Sequence, residues 1–165
     1  MSTVKRSGIK ISESKLENGI MRGLILSGNL VAQAATQKAP RDTGRLKRSI
    51  TRGNPFKISS TIYGIEVGTN VEYARAQEFG SGIHSEDSAY RNYIKIVPKK
   101  AKALAFAWPN APQGMKPGPG GLFYFKSVNH PGVKAQPYLR PALREKADLI
   151  RKLITASVIG AMTNG

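Results

Sequence analysis

The chain has 165 residues, 40% of them apolar and 22% charged, with 26 Lys and Arg against 10 Asp and Glu for a formal net charge of +16. This composition excludes general disorder and fits one domain with a two-layered core rather than two independent cores. The lack of cysteine excludes disulfide stapling, thiol catalysis and Cys-ligated zinc and suits a reducing cytoplasm. The positive charge implies a salt-sensitive attraction for polyanions, satisfied by DNA, RNA, an acidic protein surface or an anionic membrane, or simply solvated.

Residues 1–12 are basic and polar, with Ile9-Lys10-Ile11 alternating, and read as a basic N-terminal arm, either loose or an edge strand. They precede a single α+β domain over residues 13–165. No apolar signal core follows Lys5 and Arg6, and no apolar run approaches the roughly 20 residues that span a bilayer, so the expectation is a soluble, unexported protein. Ser14 and Glu17 form a capping-box pattern, and Leu16, Ile20, Leu24, Val31 and Ala35 recur at helical spacing. A long helix is therefore expected from about residue 13 to Ala39, stopped by Pro40. Gly19, Gly23 and Gly28 each cost about 1 kcal/mol there, so the helix depends on packing. Gly19 and Gly23 can admit another backbone, and Gly28 can equally mark a kink.

Residues 39–50, A-P-R-D-T-G-R-L-K-R-S-I, place Asp42 or Thr43 as the cap of a short helix with Leu46 and Ile50 inward. Arg41, Arg45, Lys47, Arg48 and Arg52 form a dense basic cluster, either a solvated face or a contact to DNA or an acidic partner. Phe56 to Val67 reads as a strand bent at Gly64. Glu66 to Gly82 then forms a corner: a Gly-Thr-Asn turn, one or two helical turns carrying Tyr73, Glu78 and Phe79, and a stop at Gly80. Tyr93–Val97 and Ala103–Trp108 read as strands separated by P-K-K-A-K, which is an exposed turn or part of one bent strand. Residues 109–121, with Pro117, Gly118, Pro119 and Gly120, form an extended loop or arm. Leu122–Val128 returns as a strand, and Asn129–Gly132 has tight-turn chemistry. Pro137-Tyr138-Leu139-Arg140-Pro141 opens a final helix with Leu139, Leu143, Ala147, Ile150, Ile154 and Val158 on one stripe. The element order predicts an α+β fold: an antiparallel sheet of about four strands with two long helices packed on one face, and a long Pro/Gly loop.

No catalytic constellation is legible. His84 and His130 lie in separate loops; His84 with Glu86 and Asp87 lacks metal-ligand spacing, and no phosphate-cradling glycine motif or nucleophile elbow occurs. The expectation is a non-enzyme without cofactor or metal. Aromatic residues lie near basic ones but in no recognised nucleic-acid module, so any DNA contact would be to phosphates.

Three stretches carry a family resemblance. V-G-T followed by Y-A-R-A-Q-E-F-G at Val67–Gly80, the A-P-R-D-T-G segment with L-K-R-S-I, and P-Y-L-R-P-A-L at Pro137–Leu143 resemble the small tail-completion (neck) proteins of long-tailed bacteriophages. The resemblance implies a structural virion protein at the head-proximal end of the tail, assembled in the host cytoplasm. It further implies a ring, by similarity to tail terminators of six subunits, that completes or terminates the tail tube and joins it to the head connector or stopper protein. Implied partners are further copies of the chain, the tail tube protein, the connector and the phosphate backbone of packaged DNA, with no membrane. Tyr73, Glu78, Phe79, Gly80 and the loop at Pro117–Gly120 are the expected interface residues. The alternative is a basic nucleic-acid-binding protein without sequence preference.

Overall fold

The computed structural model describes residues 12–163, so the N-terminal arm expected at residues 1–12 lies almost wholly outside the described residues. In chain order the elements are α1 (Glu13–Lys38), α2 (Arg45–Ser49), β1 (Thr51–Arg52), β2 (Phe56–Lys57), β3 (Tyr63–Gly64) and β4 (Val67–Gly68). These are followed by α3 (Ala74–Phe79), β5 (Ile94–Ile96), β6 (Leu104–Phe106), β7 (Phe123–Phe125), β8 (Val128–His130) and α4 (Leu139–Thr163). The fold is mixed α+β, with a long helix near each end and small antiparallel sheets between. Two compact units emerge: the described residues up to Ala74 with those from Pro137 onward, and Arg75–Gln136.

In the first unit α1 and α4 run antiparallel. Gly19 and Gly23 face Val158 and Ile154, and a Cβ on either glycine would come within 2.8 and 2.7 Å of the opposing Cα atoms. The buried stripe of α1 thus runs at intervals of four through Gly19, Gly23, Ser27, Val31 and Ala35, while Leu16, Ile20 and Leu24 flank it half-buried. Small residues let the helix backbones close up, and that packing offsets the helix-weakening effect of glycine. The core continues through Ala34, Ala39, Leu46, Val71, Tyr138 and Ala142. The capping box does not form: Ser12 holds the N-cap position without a side-chain cap bond, and Glu17 instead accepts from Lys57 Nζ at 3.4 Å. The Tyr63 side chain first, and then Glu17, raises the Lys57 pKa above its ordinary value.

Both expected strand regions are hairpins. Thr51 and Arg52 pair with Gly68 and Val67, then Phe56 and Lys57 with Gly64 and Tyr63. Between the ladders residues 53–55 oppose 65–66, so the first arm carries a bulge, bridged by Gly53 N–H donating to Glu66 O at 2.8 Å. The chain reverses at Ser59–Thr61, where Ile58 N–H donates to Ile62 O at 2.8 Å. A continuous strand from Phe56 to Val67 was the sequence expectation; serine and threonine suit exposed strand and turn alike, so the reversal leaves no distinct pattern.

In the second unit β5 pairs with β8 and β6 with β7. The expected single sheet of about four strands is therefore, among the described residues, four two-stranded ladders, two in each unit. Residues 97–103, which contain P-K-K-A-K, oppose only residues 126 and 127 and form an excursion on one arm of a long hairpin. Phe106 stacks on Phe125 with centroids 5.6 Å apart, and Trp108 meets Phe123 edge-on at 6.0 Å. These rings hold the arms together where the ladder is only three pairs long.

Candidate functional site

The corner segment is fixed by glycine geometry. Gly80 and Gly82 adopt φ +75° and +61°, and across from them Gly132 adopts +89°. A Cβ on Gly132 would overlap the carbonyl oxygen of Ser81, and one on Gly82 that of Pro131. Two chain segments cross here with no room for side chains. Ser81 N–H donates to Val133 O at 2.9 Å, Ile83 N–H to Pro131 O at 2.8 Å and Gln136 N–H to Gln77 O at 2.7 Å, strapping residues 77–83 to 131–136. The Gln77 amide also donates to Gln136 Oε1 at 3.0 Å. The expected tight turn at Asn129–Gly132 is thus the end of β8 followed by this crossing.

Of the interface residues expected on the corner, Tyr73 and Phe79 are exposed, Gly80 is buried at its turn, and Glu78 is buried at 4% exposure. The Pro117–Gly120 segment is exposed yet pinned: Gly118 N–H donates to Leu122 O at 2.8 Å and Tyr124 Oη to Pro119 O at 3.1 Å. The extended loop is therefore a folded-back tip of the hairpin. Among the described residues no group of three or more His, Cys, Asp or Glu could hold a metal ion, so His84, Glu86 and Asp87 are not gathered into such a group. Asp87 instead accepts from Ala89 N–H at 3.0 Å.

The basic cluster separates into two parts. Arg48 and Arg52 line an open hollow of about 820 Å³ with Ser49, Thr51, Glu66 and Thr69, whereas Arg41, Arg45 and Lys47 lie outside it. Arg52 is held in place, its Nε donating to Asn29 Oδ1 at 2.9 Å and its Nη1 to Gly53 O at 3.0 Å. The D-T-G motif has a local cause: Gly44 takes φ +75° as the residue preceding α2, and Thr43 Oγ1 accepts from Arg45 N–H at 3.4 Å. Asp42 makes no such bond there.

Residues 6–80 match the bacteriophage family described as "HK97-gp10, putative tail-component". The family resemblance read from the sequence therefore holds, and it implies a structural component of a phage tail with a place in the virion. The matched span contains the D-T-G turn and the Y-A-R-A-Q-E-F-G corner and ends at Gly80, before P-Y-L-R-P-A-L. No curated protein and no solved structure gives a significant match. Among the described residues no helix is long and apolar enough to cross a membrane.

Sequence reasoning missed one feature of the second unit. Residues 91–136 contain eight Lys and Arg and no Asp or Glu, and the structure folds most of this stretch into one hairpin. The signal was present in the sequence as the interval without carboxylates after Asp87.

Proposed function

We propose that the chain acts without catalysis as a ring subunit that completes or terminates the tail tube and joins it to the head connector or stopper protein at the neck. The observation that carries this reading is the tail-component family match over residues 6–80. Six subunits would match the symmetry of the tail, and a central channel would let DNA pass.

Surface chemistry supports a life in an assembly. Ile58 and Ile62 are 61% and 53% exposed at the tip of the first hairpin, and Leu143 and Ile159 are similarly open on α4. Aliphatic side chains left in water in several places are what a subunit with more than one neighbour presents. In the ring, the corner at Tyr73 and Phe79 and the tip at Pro117–Gly120 would meet adjoining subunits or the tube. The cluster of Arg41, Arg45, Lys47, Arg48 and Arg52 would face packaged DNA or an acidic neighbour.

The test is electron microscopy of particles made with this gene deleted from its source genome. Filled heads beside unjoined tails, or tails of irregular length, are expected. Normal infectious particles would overturn the reading.

A further inference from the structure

We propose that copies of this chain join head to tail, the isoleucine tip of the β2–β3 hairpin of one copy entering the apolar groove beside α1 and α4 of the next. The proposal rests on the ring reading and names two surfaces through which the ring would close. Three observations within the first unit carry it.

First, the hairpin ends in an uncovered apolar face. Phe56 pairs with Gly64 and Lys57 with Tyr63, and Ile58 N–H donates to Ile62 O at 2.8 Å, so Ile58 stands opposite Ile62. Alternation sets Lys57 and Tyr63 on one face and Phe56, Ile58 and Ile62 on the other. The Lys57 face is turned to α1, where its Nζ meets Glu17 Oε1 at 3.4 Å. On the opposite face the Phe56 ring and the end of Ile58 lie over Gly64, and Phe56, Ile58 and Ile62 are all exposed. No charged residue occurs from Ile58 to Ile65.

Second, the same unit carries a groove of matching chemistry. Its space is about 220 Å³, lined by Leu24, Val31, Leu143, Ile150 and other residues, none of them charged and only Ser27 with a polar side chain. An apolar cavity of about 150 Å³ accepts a benzene-sized group, so this one accepts the branched ends of two isoleucines. The tip cannot fill the groove of its own copy. Ile65 lines that groove from the α1 side of the hairpin, its Cδ1 beside Gly28, whereas Ile58 and Ile62 lie on the other side.

Third, tip and groove occur on one chain. Copies with a net charge of +16 repel one another through their basic surfaces, and these two surfaces let them meet carbon to carbon. An unrelated partner would have to supply a second pocket and a second tip, whereas another copy brings both. A projecting patch that fits a pocket elsewhere on the same molecule makes a heterologous contact, which forms a ring when the rotation closes.

The experiment compares wild type with Ile58→Ser/Ile62→Ser, which removes the tip, and Leu143→Arg, which puts a long charged side chain at the groove. All three positions are exposed, and circular dichroism checks folding. Self-association is read by sedimentation of the chain alone and by copies bound per tail on tails purified from phage lacking this gene. Each variant should stay folded and self-associate about tenfold or more weakly than wild type. An equimolar mixture of the two variants should form pairs and nothing larger, because the intact tip of the Leu143→Arg copy fits the intact groove of the serine copy. Wild-type association by either variant would overturn the proposal. So would a mixture that stays single, which would make tip and groove parts of separate contacts. Unchanged self-association with attachment to tails lost would also overturn it and give both surfaces to another tail component. Wild type that stays single both alone and on tails would overturn the ring reading itself, whereas the other results leave that reading standing.

Discussion

Gly23 of α1 lies against the backbone of Ile154 of α4, so close that a Cβ on the glycine would stand 2.7 Å from the Ile154 Cα. Helix propensity alone favours Gly23→Ala by about 1 kcal/mol. Here the added methyl meets backbone, which cannot rotate aside, and forcing the helices apart costs about 1–3 kcal/mol. Gly23→Ala should therefore be net destabilising by about 1 kcal/mol. Gly160, in α4 with nothing within 4 Å of its Cβ position, is the control. Gly160→Ala should stabilise by about 0.5 kcal/mol. Thermal or urea unfolding of both variants checks the pair, and stabilisation by both would contradict the close helix approach.

At the crossing of residues 77–83 with 131–136, Gly132→Ala demands a left-handed conformation of alanine and places its methyl on the Ser81 carbonyl. The strap should open rather than adjust, because both sides are backbone. Hydrogen exchange should then show faster exchange at the amides of Ser81, Ile83 and Gln136, while Gly53 in the first unit keeps its protection. Unchanged exchange at Ser81 would mean that the strap does not hold the corner.

The elements governed by periodicity were the ones legible in the sequence. The stop of α1 before Pro40, the inward Leu46 and the first-turn proline of α4 follow from spacing and proline chemistry. Strand pairing was not legible. Phe56–Lys57 and Tyr63–Gly64 are too short to announce a reversal, and β5 could have paired with β6 by the same alternation that pairs it with β8. Leu143 shows a further limit: its spacing puts it on the inward stripe of α4, yet it is 54% exposed because it borders an open groove lined by Leu24, Ile65 and Ile150. The expected interface residues were legible only as a sequence pattern. Whether a residue of the corner is buried like Glu78 or open like Phe79 depends on chain crossings that no local spacing encodes.

Arg52 and Arg48 share one hollow but should behave differently when replaced. Arg52 bonds Asn29 and the Gly53 carbonyl, and its side-chain carbons lie beside Gly28. Arg52→Ala should lower stability by about 1 kcal/mol through lost bonding and packing. Arg45→Glu with Arg48→Glu, on exposed side chains, should leave unfolding within about 0.5 kcal/mol of wild type. If the exposed pair contacts DNA or an acidic neighbour, the same double variant reduces particle assembly or DNA retention. Intact assembly and retention would remove the cluster from the functional surface.

Ser27 sits on the helix stripe between Gly23 and Val31 at 3% exposure, and its Oγ is the one buried side-chain polar atom without a partner among the described residues. It also lines the apolar groove that includes Leu24, Val31, Ile65 and Leu143, a space of about 220 Å³. A buried hydroxyl without a partner loses its hydration and gains nothing in return. Ser27→Ala removes that penalty, keeps the small volume needed beside α4 and improves helix propensity, so it should stabilise by about 0.5–1 kcal/mol. Ser27→Val keeps the site apolar but adds bulk at a close approach and should destabilise instead. Denaturant unfolding of the two variants separates polarity from size. Destabilisation by Ser27→Ala would show that the hydroxyl is bonded in solution, and would make the groove a polar site rather than an apolar one.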